Sequence, residues 1–332
     1  MTRRATLDGH LQLPPHYFPG KIGIVTVLYN SAQVLEGFFA SIEAQTYREF
    51  IVYCVDNQST DGSGDLCARR GLPYRLISNA ANLGVAAGNN QGIRAAIADG
   101  CEYVLLINND TEFESDLVAK LLEAARDDSV DMVCPKILYF DVPDVIWAAG
   151  GKFQPLFGHR CIHIGENEID KGQYDKRRFV QYVPTCCVLI RRSVFEDVGL
   201  MDSRYFVYVD DVDFMFRAAR AGKRLLYVPE ATLLHKVGRL TGGEASPFSI
   251  RMGTRNRIFF HLKHFGLLRT IPWIAVRELS WIFSLAVNGR GLSWFRLKNS
   301  ALREAMRLYS PRVSAVDCIP ESPSPHAPEM RR

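Results

Sequence analysis

Two rhythms of apolar and polar positions alternate along the chain. Lys21 to Leu28 (KIGIVTVL) is β-branched and apolar, the pattern of a buried strand. After Tyr29-Asn30-Ser31 the apolar positions Val34, Leu35, Phe38, Phe39 and Ile42 recur at helical spacing, with Ser31 placed to cap the helix. Phe50 to Val55 repeats the strand signal, and strand, helix and strand within about thirty-five residues make a right-handed parallel unit. A short helix near Gly64 to Arg70, a strand at Tyr74 to Ile77 and a helix opening in Asn79 to Asn90 and reaching Ala98 come next. They lead to Tyr103-Val104-Leu105-Leu106-Ile107, five apolar residues without a polar break, which predict a strand buried on both faces. An amphipathic helix over Asp116 to Arg126 and a short strand at Met132 to Cys134 complete the alternation. Four or five parallel strands with helices between them predict an α/β, doubly wound, Rossmann-like nucleotide-binding half in the first 140 residues.

From 140 to 185 the rhythm breaks into short strands and turns, around Trp147 to Gly151 and Arg160 to Ile164, with no helical pattern. Val183 to Arg192 is apolar again. Tyr205 to Asp213 then runs into a helix stopped by Gly222, Lys223 to Val228 reads as a strand, and His235 lies seven residues beyond it. From Ser249 amphipathic helices take over, one of them Trp-rich over Trp273 to Val287. These patterns divide the chain into a flexible leader (1–20), a main domain (21–265, in halves 21–140 and 141–265), a basic helical region (266–312) and a disordered tail (313–332).

Composition adds one asymmetry. The 332 residues carry a formal charge of +4, yet 248–312 holds twelve Lys or Arg against Glu278 and Glu304, a local +10 that leaves −6 elsewhere. A basic C-terminal third suits a phospholipid surface, a nucleic acid, or simply water around a solvated helix face. The eight cysteines show no CxxC spacing and most lie in apolar segments, as in a reducing compartment. No secretory signal opens the chain, and the nine residues Leu279 to Val287 are too few to span a bilayer, so a cytoplasmic protein is expected.

The chemistry gathers where strands end. The central strand gives way to Asn108-Asn109-Asp110, and in open α/β sheets ligands sit at that edge. An Asp there can share Mg2+ or Mn2+ with phosphate, or serve as a helix cap. Asp56, closing the second strand, can accept the imide N–H of a uracil or thymine, or bond its own turn. Asp210, Asp211 and Asp213 crowd three acids into four positions, and mutual repulsion raises a carboxylate toward the range of a general base. The aromatics Tyr205, Phe206 and Tyr208 upstream provide a sugar-stacking surface. His235 is a single histidine with a structural or a ligand role, and Arg239, Arg255 and Arg257 are candidates for phosphate. Gly84 and Gly88 do not make a dinucleotide fingerprint, because no GxGxxG follows the first strand.

In this order the stretches Val25-Thr26-Val27-Leu28-Tyr29-Asn30, Val55 to Ser63, Asn82-Leu83-Gly84-Val85-Ala86, Leu106 to Thr111, Tyr208 to Asp213 and Arg255-Asn256-Arg257 resemble the family 2 glycosyltransferases. Within that family the chain is similar to bacterial rhamnosyltransferases of surface-polysaccharide assembly. The resemblance covers roughly 21 to 265 and implies a GT-A fold with a mixed central sheet. It places Thr26, Tyr29 and Asp56 on the base and ribose of a dTDP- or UDP-sugar, with Asn82, Gly84 and Asn109 nearby. Asp110 becomes the end of the metal-binding motif, His235 its completing ligand, and Asp211 the base of an inverting transfer. Asp210, Asp213 and Arg255 fall on the acceptor or phosphate side. Mg2+ or Mn2+ is the implied cofactor and a glycan or lipid-linked glycan the acceptor, with 266–312 at the inner face of the cytoplasmic membrane and no nucleic acid. The competing expectations are a nicotinamide-dependent oxidoreductase, which would have no use for Asp211, and a non-catalytic sugar-nucleotide binder or assembly subunit of the same fold.

Overall fold

The computed structural model describes residues 20–71, 73–155, 159–238, 246–287 and 292–309, with 281–287 and 292 as backbone alone. The expected tail, Arg239 and all but the last residue of the expected leader lie outside them. The first half follows the hydrophobic rhythm. Strands β1 (Ile22–Leu28), β2 (Phe50–Asp56), β3 (Tyr74–Ser78) and β4 (Tyr103–Ile107) are parallel neighbours in the order β4-β1-β2-β3. Helices α1 (Ala32–Glu43), α2 (Ser63–Ala68) and α3 (Val85–Ala98) connect them. Every residue of β4 is buried, as an apolar run with no alternation requires. Gly88 and Gly92 let α3 lie directly on β1: a Cβ at Gly92 would stand 2.3 Å from a methyl of Val25, and one at Gly88 2.9 Å from Val27.

Beyond β4 the structure adds elements that local pattern did not show. Asp110 is followed by a three-residue strand, β5 (Thr111–Phe113), that the pattern did not show, and then by the expected amphipathic helix, α4 (Leu117–Ala125). The expected short strand at Met132 extends through Tyr139 as β6 (Met132–Tyr139). Short strands β7 (Ile146–Ala148), β8 (Gly151–Gln154), β9 (Arg160–His163) and β10 (Arg178–Val180) fill the region without helical pattern. β11 (Cys187–Arg191) inserts between β4 and β6, antiparallel to both, and makes the sheet mixed. It leads into α5 (Arg192–Val198), a helix the pattern did not predict. Helix α6 (Asp210–Arg220) follows.

The strand expected to end at Val228 runs on to His235 as β12 (Leu225–His235). Its pairing with β6 skips at Pro229-Glu230-Ala231 and resumes at Thr232, because a proline has no N–H for the ladder and a bulge absorbs the interruption. The end of β12 pairs with β5, setting His235 opposite Thr111. Helix α7 (Pro247–Val287) breaks at Gly266, whose φ of 73° no helical residue adopts, and α8 (Leu292–Leu308) packs against it. Among the described residues, no helix is long and apolar enough to cross a membrane.

Candidate active site

The carboxyl ends of β1 and β4, the start of α3, the start of α6 and the end of β12 surround one cavity of about 1250 Å³. Asn108, Asn109 and Asp110 line it from β4. The Asn109 amide donates to the Val27 carbonyl at 2.7 Å, which ties the motif to the neighbouring strand. Pairing of β5 with β12 then brings His235 alongside Asp110, and the Lys236 N–H donates to the Asp110 carbonyl at 2.9 Å. His235 Nε2 lies 3.2 Å from Asp110 Oδ1, an oxygen that is buried and accepts no directed hydrogen bond. A carboxylate oxygen and an imidazole nitrogen side by side suit Mg2+ or Mn2+, whose remaining ligands can be diphosphate and water. Among the described residues no cluster of three His, Cys, Asp or Glu forms a complete protein cage.

Across the cavity stand Asp210 and Asp211, the first residues of α6. The turn delivering them is strained: Phe206, Tyr208 and Val209 have φ of 66°, 64° and 67°, and a β-branched residue rarely occupies that region. Tertiary contacts hold it. The Val85 N–H donates to the Phe206 carbonyl at 2.6 Å, and the buried Asn256 amide donates to the carbonyls of Tyr205, Val207 and Tyr208 at 2.7 to 2.8 Å. Gly84 is obligatory at this contact, since a Cβ there would lie 2.4 Å from the Phe206 oxygen.

The acid cluster separates into different roles. Burial, and then the charge of Asp211, pushes the Asp210 carboxyl up to about 8. Burial raises Asp211 as well, but the Tyr182 hydroxyl donates to its Oδ2 at 2.7 Å and the Val212 N–H to its Oδ1 at 2.7 Å, and both favour the ionised form. The pair therefore holds one proton near neutrality, with the charge on Asp211. Asp213 does not face the cavity. Burial alone would raise it, yet His264, Lys263 and Arg217, at 2.7 to 2.9 Å, hold it far below the usual carboxylate range. The expectation of an acceptor-side Asp213 gives way to a core ion cluster that anchors α6.

Other expected positions also divide. Tyr29, Asn82 and Gly84 line the cavity. Thr26 does not, because alternation along β1 turns it away from Val27. Asp56 lies outside the wall and accepts the Ser59 N–H at 3.1 Å, so the turn-forming reading is the one its contact realises, while its neighbour Asn57 lines the cavity. Arg255 points away, donating to the Tyr205 carbonyl at 2.6 Å, and Arg257 lines the cavity instead.

A wall of aromatic side chains joins the two acidic sites, and sequence reasoning did not find it. Trp147 packs at 4.6 Å on His235 and at 4.6 Å on His163; His163 stacks on Tyr182, which bonds Asp211. The strand pattern at Arg160 to Ile164 places Cys161 and His163 on one face, the one available signal; nothing local marks Tyr182.

The raised pair gives a pH dependence. In the native state Asp210 keeps its proton above the ordinary carboxylate range and in the unfolded state it does not, so the native state binds more protons between about 4 and 8. Stability is therefore expected to fall as pH rises through that window, and Asp210→Asn to flatten the fall. Thermal melting of both proteins across the window checks this; parallel curves would refute it.

A mixed α/β sheet with an Asn-Asn-Asp motif at a strand end, and a carboxylate pair facing it across one cavity, defines a sugar-nucleotide-dependent glycosyltransferase of the GT-A fold. The chain belongs to glycosyl transferase family 2, whose family model matches residues 23–199. It is 30% identical over 268 residues to N-acetylglucosaminyl-diphospho-decaprenol L-rhamnosyltransferase of Mycobacterium tuberculosis, covering 74% of this chain and 86% of that protein. The structure of GalNAc-T7 with UDP, GalNAc and Mn2+ superposes with a TM-score of 0.58 at 14% identity, over 88% of this chain and 56% of that one. Staphylococcus aureus TarS 1–349 superposes with a TM-score of 0.54 at 16% identity, over 88% and 81%.

Proposed function

We propose that the enzyme moves a hexose, rhamnose or a related sugar, from a dTDP- or UDP-sugar to a lipid-linked glycan in polysaccharide assembly, with inversion at the anomeric carbon. The observation that carries this reading is the joint opening of the Asp110–His235 pair and Asp211 onto one cavity, linked by the Trp147–His163–Tyr182 wall. Asp211, oriented by Tyr182 and Val212, takes the proton of the acceptor hydroxyl as that oxygen attacks the face opposite the nucleotide. Asp210, protonated, adds no second charge to repel the incoming oxygen. Asn82 and Gly84 sit on the donor side, and Tyr29 is half exposed at the rim for a base or ribose to cover. Asp110 and His235 would hold the divalent cation, whose charge offsets that of the departing diphosphate. A lipid-linked acceptor agrees with the name of the mycobacterial relative, an N-acetylglucosaminyl-diphospho-decaprenol L-rhamnosyltransferase.

Screening dTDP- and UDP-sugars for release of nucleoside diphosphate, with and without Mg2+ or Mn2+, tests the reading. Release that needs both a lipid-linked acceptor and the metal is expected, and in Asp110→Asn the gain in nucleotide affinity on adding Mn2+ should vanish. Nucleotide binding with no release under any condition would identify a binder instead.

We also place the protein at the inner face of the cytoplasmic membrane. After Gly266, the solvent face of α7 is apolar: Leu268 is 88% exposed, Ile271 52%, Val276 66% and Leu279 67%. Basic residues accompany it, and an apolar helix face with a basic surround suits an anionic bilayer. The protein is expected to sediment with phosphatidylglycerol vesicles, to be released by high salt, and to lose this in a Leu268→Asp, Leu279→Asp variant. Full recovery of the unaltered chain in the supernatant would refute the placement.

A further inference from the structure

The mechanism leaves unused the cations that line the same cavity beyond Asp211. Arg160 of β9, Arg257 of the first half of α7, Arg277 of its second half and Lys298 of α8 converge there from four segments of chain. Among the described residues, the acids that line the cavity are Asp110, Asp210 and Asp211, all at the strand and helix ends already described. Arg277 lies over the Trp273 ring at 4.7 Å, His261 stacks on Trp273 with ring centroids 4.0 Å apart, and Lys298 lies over Trp294 at 4.6 Å. Lys298 also feels Glu278 nearby. Aromatic rings thus fix two of the four cations, so less side-chain freedom remains to be lost on binding.

Position ties this cluster to Asp211. Cys161, next to Arg160, lies within electrostatic reach of both Arg257 and Asp211, and Tyr182 contacts Asp211. The cations therefore adjoin the base. Burial, and then the charges of Arg257 and Arg160, bring Arg277 down to about 10. Arg277 is partly desolvated beside the exposed Arg160 and Arg257, so the three guanidinium groups repel one another, and an anion among them relieves that repulsion. The helix that turns Trp273 and Arg277 to the cavity presents Leu268, Ile271, Val276 and Leu279 outward, so the anion site and the apolar face are two sides of one element.

We propose that Arg160, Arg257, Arg277 and Lys298 form an acceptor subsite for the diphosphate that links the acceptor sugar to its lipid. This inference rests on Asp211 as the base, because that assignment makes this side of the cavity the acceptor side. Guanidinium groups supply paired donors to phosphate oxygens, the tryptophans border the site, and the lipid leaves over the outer face of α7.

Calorimetric titration of the full chain tests it with geranyl diphosphate, inorganic pyrophosphate, and UDP and dTDP in the presence of Mn2+. Geranyl diphosphate is expected to bind protein already saturated with nucleoside diphosphate, and to bind about tenfold more tightly than pyrophosphate. Arg160→Gln with Arg257→Gln, both at exposed positions, should weaken geranyl diphosphate by about tenfold or more and leave nucleotide affinity and melting temperature unchanged. Arg277→Gln, at a more buried position, should do the same, with retained nucleotide binding as its control for folding. Competition between geranyl diphosphate and the nucleotide, or equal weakening of both, would assign the cations to the donor and overturn the proposal. Equal affinity for pyrophosphate would reduce the site to a free-anion site and also overturn it. If geranyl diphosphate does not bind while nucleotide does, the subsite falls and the functional reading stands. If no nucleotide binds, the functional reading falls and this inference with it.

Discussion

Asp211→Asn is expected to lower the rate of transfer by about 10²- to 10⁴-fold, the usual contribution of a positioned base, with nucleotide affinity and melting temperature close to unaltered. The substitution is conservative because both contacts can persist. The Val212 N–H still finds the side-chain oxygen, and the Tyr182 hydroxyl, donor to the carboxylate at 2.7 Å, becomes acceptor to the amide. Only the ability to take a proton is removed. Rate and nucleotide affinity measured on one preparation separate the readings: an enzyme loses turnover and keeps binding, whereas a binding subunit has no turnover to lose. Undiminished transfer by Asp211→Asn would remove this residue as the base.

The second large effect is expected far from any reacting atom. Asn256→Leu withdraws the amide that donates to three carbonyls of the strained turn, and it also removes the oxygen that accepts from Arg255 Nε at 2.7 Å. Each buried carbonyl left without a donor costs roughly 1–3 kcal/mol, in a turn whose left-handed residues already cost about 1–3 kcal/mol each. The turn is expected to relax and carry Asp210 and Asp211 out of register. A displacement of about 1 Å can cost about 10²-fold in rate. Asn256→Asp keeps the shape and the acceptor for Arg255 but cannot donate, so it should fail in the same way. A lower kcat with donor KM held, together with a lower melting temperature, is the expected signature. Wild-type turnover in Asn256→Asp would show that the turn holds itself.

Much of the fold was legible because its determinants are local. The run Tyr103 to Ile107 could only be a strand buried on both sides, and the helical spacing of Val34 to Ile42 could only be an amphipathic helix. Where the sequence misled, distant partners decided. β12 looked finished at Val228 because Pro229 interrupts the ladder, but pairing with β6 resumes at Thr232 and carries His235 to β5. Residues 111–113 had no partner to suggest a strand until β12 returned beside them. β11 reads as one more apolar run, and its antiparallel insertion between β4 and β6 cannot be seen in its own residues.

The site shows the same division. Asp110, Asp210, Asp211 and His235 were legible because polar groups at the ends of apolar runs have few other reasons to be there. Asp213 and Arg255 carried the same kind of signal and went elsewhere, one into a cluster with Lys263, His264 and Arg217, the other onto the backbone of the turn. Neighbours in sequence on a helix start point in different directions, and spacing alone does not say which one meets the cavity.

By itself, then, the sequence determined the parallel nucleotide-binding half, the acids at its edges and the family to which they belong, because those follow from short-range periodicity and a few polar interruptions. Tertiary structure alone decided that Asp110 and Asp211 share one cavity, that Trp147, His163 and Tyr182 connect them, and that Asn256 holds the turn that leads into Asp210 and Asp211. These depend on contacts between separate segments of the chain, from Trp147 with His163 to Asp110 with His235, and the energy of such contacts is written in no single stretch.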